Sequence, residues 1–286
     1  MKHKVIAFGE IVWDMLPSGR QLGGAPLNFC YFADVAGAEA YVISAVGSER
    51  LGDETIGVVS HTGVSVSYIQ RSQLPTGYVN VQLDAHGHPE YEIVEDVAWD
   101  AIGCPSEALQ LVQDASLFCW GSLAQRSETS RASLYELLES LPKSCLKVFD
   151  INIRQHYYSV ETIEKSLLCA DVLKLNEDEL PLIADLFGIT GAESEIVRSL
   201  IDTYSLKFLI YTHGADFSEV YSSEGEYSHI DTPKVEVKDT VGAGDSFTAI
   251  FVVSLLLGHS LADSHRAAVD VSAEVCTKNG AIDVVA

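Results

Sequence analysis

The chain has 286 residues, 47% of them apolar and 21% charged, enough to bury a deep core and too apolar for a disordered segment. Its 18 Lys and Arg stand against 41 Asp and Glu, a formal net charge of −23. A surface so negative repels nucleic-acid backbones and anionic lipid, so neither is an expected partner; an anionic substrate must be held locally by a few cations, a metal or oriented backbone amides.

The first apolar run, residues 5–8, is cut at Glu10, too early for a secretory leader. Further short, β-rich runs follow at 41–46, 116–120, 146–149, 172–175 and 208–211. Between them lie segments of helical spacing, such as 133–141 (Leu134, Leu137, Leu138, Leu141) and 179–187. Strands apolar on both faces and alternating with helices predict an α/β fold around a mostly parallel, buried sheet. Ligands in such folds bind beyond the carboxyl ends of the strands. One stretch departs from this rhythm: residues 78–84 and 90–94 alternate strictly around a turn at 85–89, which predicts a β-hairpin. Its apolar face (Val79, Val81, Leu83, Tyr91, Ile93) needs a partner: a substrate cleft, a second copy of the chain, both, or the chain's own core beneath an edge hairpin, so a homodimer through this hairpin is one expectation. The longest greasy stretch, 249–257, is far short of a bilayer span. Six scattered cysteines without a C-x-x-C pair suit a reducing compartment, and a cytoplasmic protein is expected.

The most informative segment is 234–247. Alternation at Val235 and Val237 predicts a short strand that runs into a turn with Gly242 and Gly244, and an apolar helix is expected from near Asp245 to Leu257. Two glycines permit positive φ and close approach of a ligand to the main chain. The N–H groups of Gly242, Ala243, Gly244 and Asp245 can then converge at the positive end of a helix, an anion nest suited to a phosphoryl group. An acidic chain can thus bind phosphate with amides instead of lysines. Asp245 is at least an ordinary first-turn acid, favoured by the helix dipole. Its sharper reading is a general base beside the nest, taking a hydroxyl proton late in a loose phosphoryl transfer.

Asp239-Thr240-Val241-Gly242-Ala243-Gly244-Asp245 resembles the D-T-x-G-A-G-D signature of the ribokinase-like, or PfkB-type, carbohydrate kinases. Gly9-Glu10 with Asp14 and Pro17, then Gly23-Gly24-Ala25-Pro26-Leu27-Asn28, resembles the pattern of the fructokinase branch. Asp150-Ile151-Asn152-Ile153-Arg154 resembles the family's D-x-N-x-R, Asn176 to Glu179 its N-x-x-E, and Thr212-His213-Gly214 the loop edging its ATP site. The resemblance implies a single domain over 1–286, a three-layer α/β/α core with a small β lid from about 11–22 and 77–98.

The same resemblance implies an ATP-dependent sugar kinase, most of all a fructokinase. Asp245 would be its base and Gly242, Ala243 and Gly244 its anion hole. Asp14, Gly23, Gly24 and Asn28 would bind sugar hydroxyls, with Arg154 and the hairpin's Tyr91 lining the same pocket. Asn176, Thr212, Gly214 and Thr240 would meet the nucleotide. Glu179 would hold Mg²⁺ through water, and the main-chain oxygens of Asp239 and Val241 a monovalent cation such as K⁺. Two positions depart from the pattern: Phe217 stands where a second glycine of the nucleotide loop is expected, and Glu49 where a G-x-D-x-x-G motif has Asp. Alternative substrates are ribose, a nucleoside whose base would need an aromatic slot begun by Tyr91 or Trp13, and a keto-deoxy sugar acid whose carboxylate would need Arg154. A catalytically silent sugar-binding regulator is the alternative outside enzymology.

Overall fold

The structure is a computed structural model that describes residues 2–16, 19–83 and 89–282, the side chains of 81–83 and 89–91 aside. Strands β1 (Lys4–Phe8), β2 (Val12–Leu16) and β3 (Gly19–Gly23) lead into helix α1 (Ala25–Val35), followed by β4 (Glu39–Gly47), α2 (Arg50–Val59) and β5 (Ile69–Ser72). The predicted hairpin forms as β6 (Tyr78–Leu83) and β7 (Pro89–Ile93), paired antiparallel with Val79 opposite Ile93; most of its turn lies outside the described residues. Next come α3 (Ser106–Val112), β8 (Leu117–Trp120), α4 (Glu128–Glu139), β9 (Leu146–Asp150), α5 (Val160–Cys169), β10 (Val172–Asn176), α6 (Glu179–Phe187) and α7 (Glu193–Tyr204). The chain ends through β11 (Phe208–His213), β12 (Phe217–Ser222), β13 (Tyr227–Asp231), α8 (Ala243–Leu256) and α9 (Leu261–Val275).

These strands form two sheets. The large one has the order β13-β12-β11-β10-β9-β8-β1-β4-β5, parallel from β11 to β5, with β12 and β13 added antiparallel at one edge. Its central strands are apolar on both faces, as burial beneath two helical layers requires. Phe8, Trp120 and Phe149 pack on one face with α3 to α7, and Val5, Val42 and Val148 on the other with α1, α2, α8 and α9. The fold is therefore the expected three-layer α/β/α core. No helix among the described residues is long and apolar enough to cross a membrane, and the six cysteines carry free thiols.

The small sheet, in the order β3-β2-β6-β7, joins two segments far apart in sequence through a parallel β2–β6 pairing, Trp13 opposite Tyr78. Val12, Val79 and Ile93 are buried in the same apolar cluster as Trp99 and Phe8, so this part of the hairpin's face is covered by the chain's own core. Trp13 points to the other side and donates its indole N–H to Thr55 Oγ1 on α2 at 2.8 Å.

One predicted element is absent. Residues 232–242 form no strand, and Val237 is 59% exposed. The N–H groups of Lys238 and Asp239 donate to the carbonyl of Cys276 just past α9, at 2.8 and 3.4 Å, so the segment is tied to a helix end and pairs with no sheet edge.

Candidate active site

Helix α8 starts where the glycine-rich turn ends. Gly242 is its N-cap at φ 79°, a left-handed conformation in which an added Cβ would also run into Ala281. The turn is fixed by Asp239, whose Oδ1 accepts from Val241 N–H at 3.0 Å and whose Oδ2 accepts from Gly280 N–H at 2.9 Å. Among the described residues the N–H groups of Gly242, Gly244 and Asp245 have no backbone acceptor, and they lie at the positive end of a helix 14 residues long. Ala243 departs from the expected nest: its N–H closes a tight turn on the Thr240 carbonyl at 3.2 Å. Its own carbonyl accepts from the hydroxyls of Ser246 and Ser272, at 2.8 and 2.9 Å, so Ala243 braces the turn.

Asp245 leaves this turn toward α1. Asn28 donates its Nδ2–H to Asp245 Oδ2 at 2.8 Å, linking the G-G-A-P-x-N helix to the α8 terminus across more than 200 residues of sequence. Burial first, then the nearby charge of Asp150, pushes the Asp245 carboxyl up to about 6, against the pull of the Asn28 hydrogen bond, Lys174 and Arg154. Glu10, 4% exposed, is pushed to about 7 by burial and by Asp245, opposed by Arg154 and by hydrogen bonds from its own and the Ala25 backbone N–H.

Beneath α8 lies a side chain that the motifs did not single out. Lys174, within β10 and 7% exposed, pairs with Asp150 Oδ1 at the end of β9, at 3.3 Å. The Thr248 hydroxyl lies 3.0 Å from both Asp150 Oδ2 and the Gly244 carbonyl. A Cβ on Gly244 would sit 3.3 Å from Lys174 Nζ, so the second glycine also makes room for this ammonium. Burial alone would lower the Lys174 pKa, but Asp150, Glu179 and Asp245 together hold it above its ordinary value. Its signal was a lone cation inside an otherwise apolar strand run, which periodicity alone reads as an imperfection.

The small sheet brings the first-motif residues to the same place. Gly23 is adjacent to Asp14, since a Cβ there would lie 3.6 Å from Asp14 Oδ2. Gly24 sits at φ 111°, with Glu10 carbonyl in the space a side chain would fill. Burial raises the Asp14 carboxyl, Arg154 lowers it, and Asp239 raises it again, which sets Asp14 between the D-x-N-x-R loop and the turn before α8. That loop bends sharply, with Asn152 at φ 42° and Gln155 at φ 50°. Arg154 is exposed, its guanidinium makes no ion pair or hydrogen bond among the described residues, and its charge acts on Glu10, Asp14 and Asp245 alike. The Tyr91 side chain and Pro17 lie outside what the structure describes.

Asn176 ends β10 directly opposite Thr212 on β11. Its Oδ1 accepts from the N–H groups of Asp178 and Glu179 at 3.0 Å, turning the chain into α6. Glu179, 5% exposed, accepts from Ile153 N–H on one oxygen and Asn176 N–H on the other, each at 2.9 Å. It therefore staples the D-x-N-x-R loop to β10, and burial raises its pKa despite Lys174. Both its oxygens keep a further lone pair for water. No cluster of three or more Asp, Glu, His or Cys among the described residues could hold a metal directly. Thr240 is exposed, and Gly214 turns the next loop at φ 42° with Glu177 close by.

The two departures have local explanations. Phe217 starts β12 with its ring stacked between His213 and His229, at centroid distances of 4.8 and 5.0 Å. Glu49 accepts from Thr76 N–H at 2.9 Å, and hydrogen bonds of this kind hold its carboxyl below the usual range although burial works the other way. It closes the loop at the start of α2, far along the sheet from β10 and β11.

Known proteins resemble this chain along nearly its whole length. Over 98% of its length the chain is 26% identical to probable fructokinase-4 of Arabidopsis thaliana, covering 93% of that protein. A fructokinase of Klebsiella pneumoniae is 29% identical over 92% of the chain and 88% of its own length. Among solved structures, fructokinase with bound ATP from Xylella fastidiosa superposes with a TM-score of 0.86 at 21% identity, over 98% of this chain and 94% of the other. A 2-dehydro-3-deoxygluconokinase from Thermotoga maritima gives 0.84 at 21% identity, over 100% and 96%. Residues 17–286 match the pfkB family carbohydrate kinase profile, and the chain belongs to that family.

Proposed function

We propose that the chain is an ATP-dependent kinase of a free sugar, with fructose the leading substrate. The observation that carries this reading is Asp245, held by Asn28 beside open N–H groups at the start of α8 with its carboxyl raised to about 6. That value makes it a stronger base than an ordinary aspartate while leaving it ionised at neutral pH. Asp14, Gly23, Gly24 and Asn28 hold the sugar hydroxyls, and Asn176, Thr212, Gly214 and Thr240 border the nucleotide. The sugar oxygen attacks the γ-phosphorus, the bond to the β-phosphate oxygen breaks, ADP leaves, and the hydroxyl proton passes to Asp245. The amides of Gly242 and Gly244 stabilise the phosphoryl charge in transit. Base catalysis contributes roughly 10²–10⁴ in rate, about 3–5 kcal/mol.

ATP as donor is supported by the nucleotide bound in the Xylella fastidiosa fructokinase. Mg²⁺ fits Glu179 only through water, and when bound it neutralises triphosphate charge. The carbonyls of Asp239 and Val241 accept no hydrogen bond among the described residues, which suits a K⁺ beneath the turn. The small sheet serves as a lid over a single catalytic domain and excludes water that would otherwise hydrolyse ATP. The protein works in the cytoplasm, either alone or as a pair joined through its lids.

A sugar-acid substrate is the second reading, favoured by an Arg154 guanidinium that has no carboxylate within ion-pair distance among the described residues, although its charge acts on Glu10, Asp14 and Asp245. ADP release measured with fructose, ribose, adenosine and 2-keto-3-deoxygluconate separates these readings. ADP formation that needs fructose supports the first; strict preference for the sugar acid supports the second. Sugar binding without ADP overturns both and leaves a regulator.

A further inference from the structure

The buried charges behind Asp245 carry an inference of their own. Asp245 faces Glu10 near the end of β1, Asp150 at the end of β9, Arg154 on the following loop, Lys174 on β10 and Asn28 on α1. Glu179 adds a further carboxylate within reach of Lys174. Negative groups therefore crowd the α8 terminus, and Lys174 is the one cation among them enclosed by protein, since Arg154 is exposed. A buried lysine is expensive unless paired. Its reach to the underside of Gly244, and the Thr248–Asp150 link behind it, place it by design of the packing and not as a surface accident.

We propose that Lys174 is a positioning residue for phosphoryl transfer: clamped by Asp150 under the first turn of α8, it offsets the negative charge that Asp150 brings to bear on Asp245. It acts through Asp245 and touches neither sugar nor the proton in flight. The pair works as a balance in which Asp150 makes Asp245 more basic and Lys174 less so. Removing one arm or the other should move Asp245 in opposite directions, which a purely structural role does not do.

This inference rests on the sugar-kinase reading, and its test is chosen to be separable from it. In Lys174→Met the acid limb of kcat against pH should move up by about one unit, the size expected for losing a close opposite charge. The sugar KM should stay within about threefold, because no sugar contact is removed. Lys174→Arg should leave the limb in place, and Asp150→Asn should move it down. A limb that stays put in Lys174→Met, or moves the same way in Asp150→Asn, overturns the proposal. Should Lys174→Met not fold, Asp150→Asn alone decides by the sign of its shift. Should no sugar be turned over, the kinase reading fails by itself. The Asp245 carboxyl is then titrated by carbon NMR in the same variants, where the same opposite shifts support the balance and equal values refute it.

Discussion

The ends of β9 and β10 and the small sheet treat polar groups in opposite ways. Behind α8, Asp150, Lys174, Glu179 and Thr248 are interlocked out of water, each oriented by at least one partner. In the small sheet the polar pairs are solvent-shared: Arg20 with Glu54 and Asn80 with Glu92 lie at the surface. Buried charges cannot relax, so they hold a fixed field for a reaction whose charge distribution is always the same. On the proposed reading, a wet, two-segment sheet that recognises hydroxyls can adjust to its sugar. The proposed function thus assigns chemistry and selectivity to parts of different stiffness.

The largest expected effect separates them most sharply. Asp245→Asn should lower kcat at least a hundredfold while the sugar dissociation constant, measured by calorimetry, changes by no more than a few-fold. A variant that turns over at near the parent rate removes the base assignment.

The same residue links activity to stability through pH. With Asp245 as the proposed base, kcat should fall as the pH drops through about 6. Folding has the reverse preference. A carboxyl raised from 3.8 to about 6 stabilises the fold when protonated; that contribution is full below pH 3.8 and is lost as the pH rises through 6. Asp245→Asn should therefore be about 1–3 kcal/mol more stable than the parent at pH 8 and no more stable near pH 3.5. Urea titrations at the two pH values check this, and equal differences at both would show that Asp245 is not strained by its burial.

On the sugar side, Gly24→Ala introduces a Cβ at φ 111° into the Glu10 carbonyl. Strain of about 1–3 kcal/mol should appear as a lower Tm and a raised sugar KM, with the acid limb of kcat unmoved. A shifted limb would mean that lid and floor are not as independent as the comparison holds. The smallest effect belongs to Phe217→Gly. It removes two ring stacks on the β12 hairpin and about 1–2 kcal/mol of stability, and should leave the ATP KM within about threefold.

The readable parts of this molecule were those whose signal is local. The α8 turn was legible because its glycines, its acid and its helix are contiguous, and the β6–β7 hairpin because strict alternation needs a pleated partner. Strands β2 and β3 carry no pattern of their own, and only the family resemblance put 11–22 in a β lid, since Gly19 and Gly23 interrupt any alternation and β2 finds its second partner, β6, more than sixty residues on. The alternation at Val235 and Val237 misled for the converse reason: the sheet ends at β13, and the carbonyl of Cys276 takes the N–H groups that a neighbouring strand would need. Lys174 was missed because its meaning lies in Asp150 and Gly244, neither close in sequence. Ala243 was assigned to the nest by position alone, and which N–H groups of a turn remain open depends on ψ angles that residue type does not set.

The bond from Gly280 N–H to Asp239, with Ala281 against Gly242, makes residues 280–281 a wall of the glycine-rich turn before α8. Gene fusions, affinity handles or trimming downstream of Lys278 therefore disturb the turn that starts α8, and a handle at the amino end is the safer engineering choice.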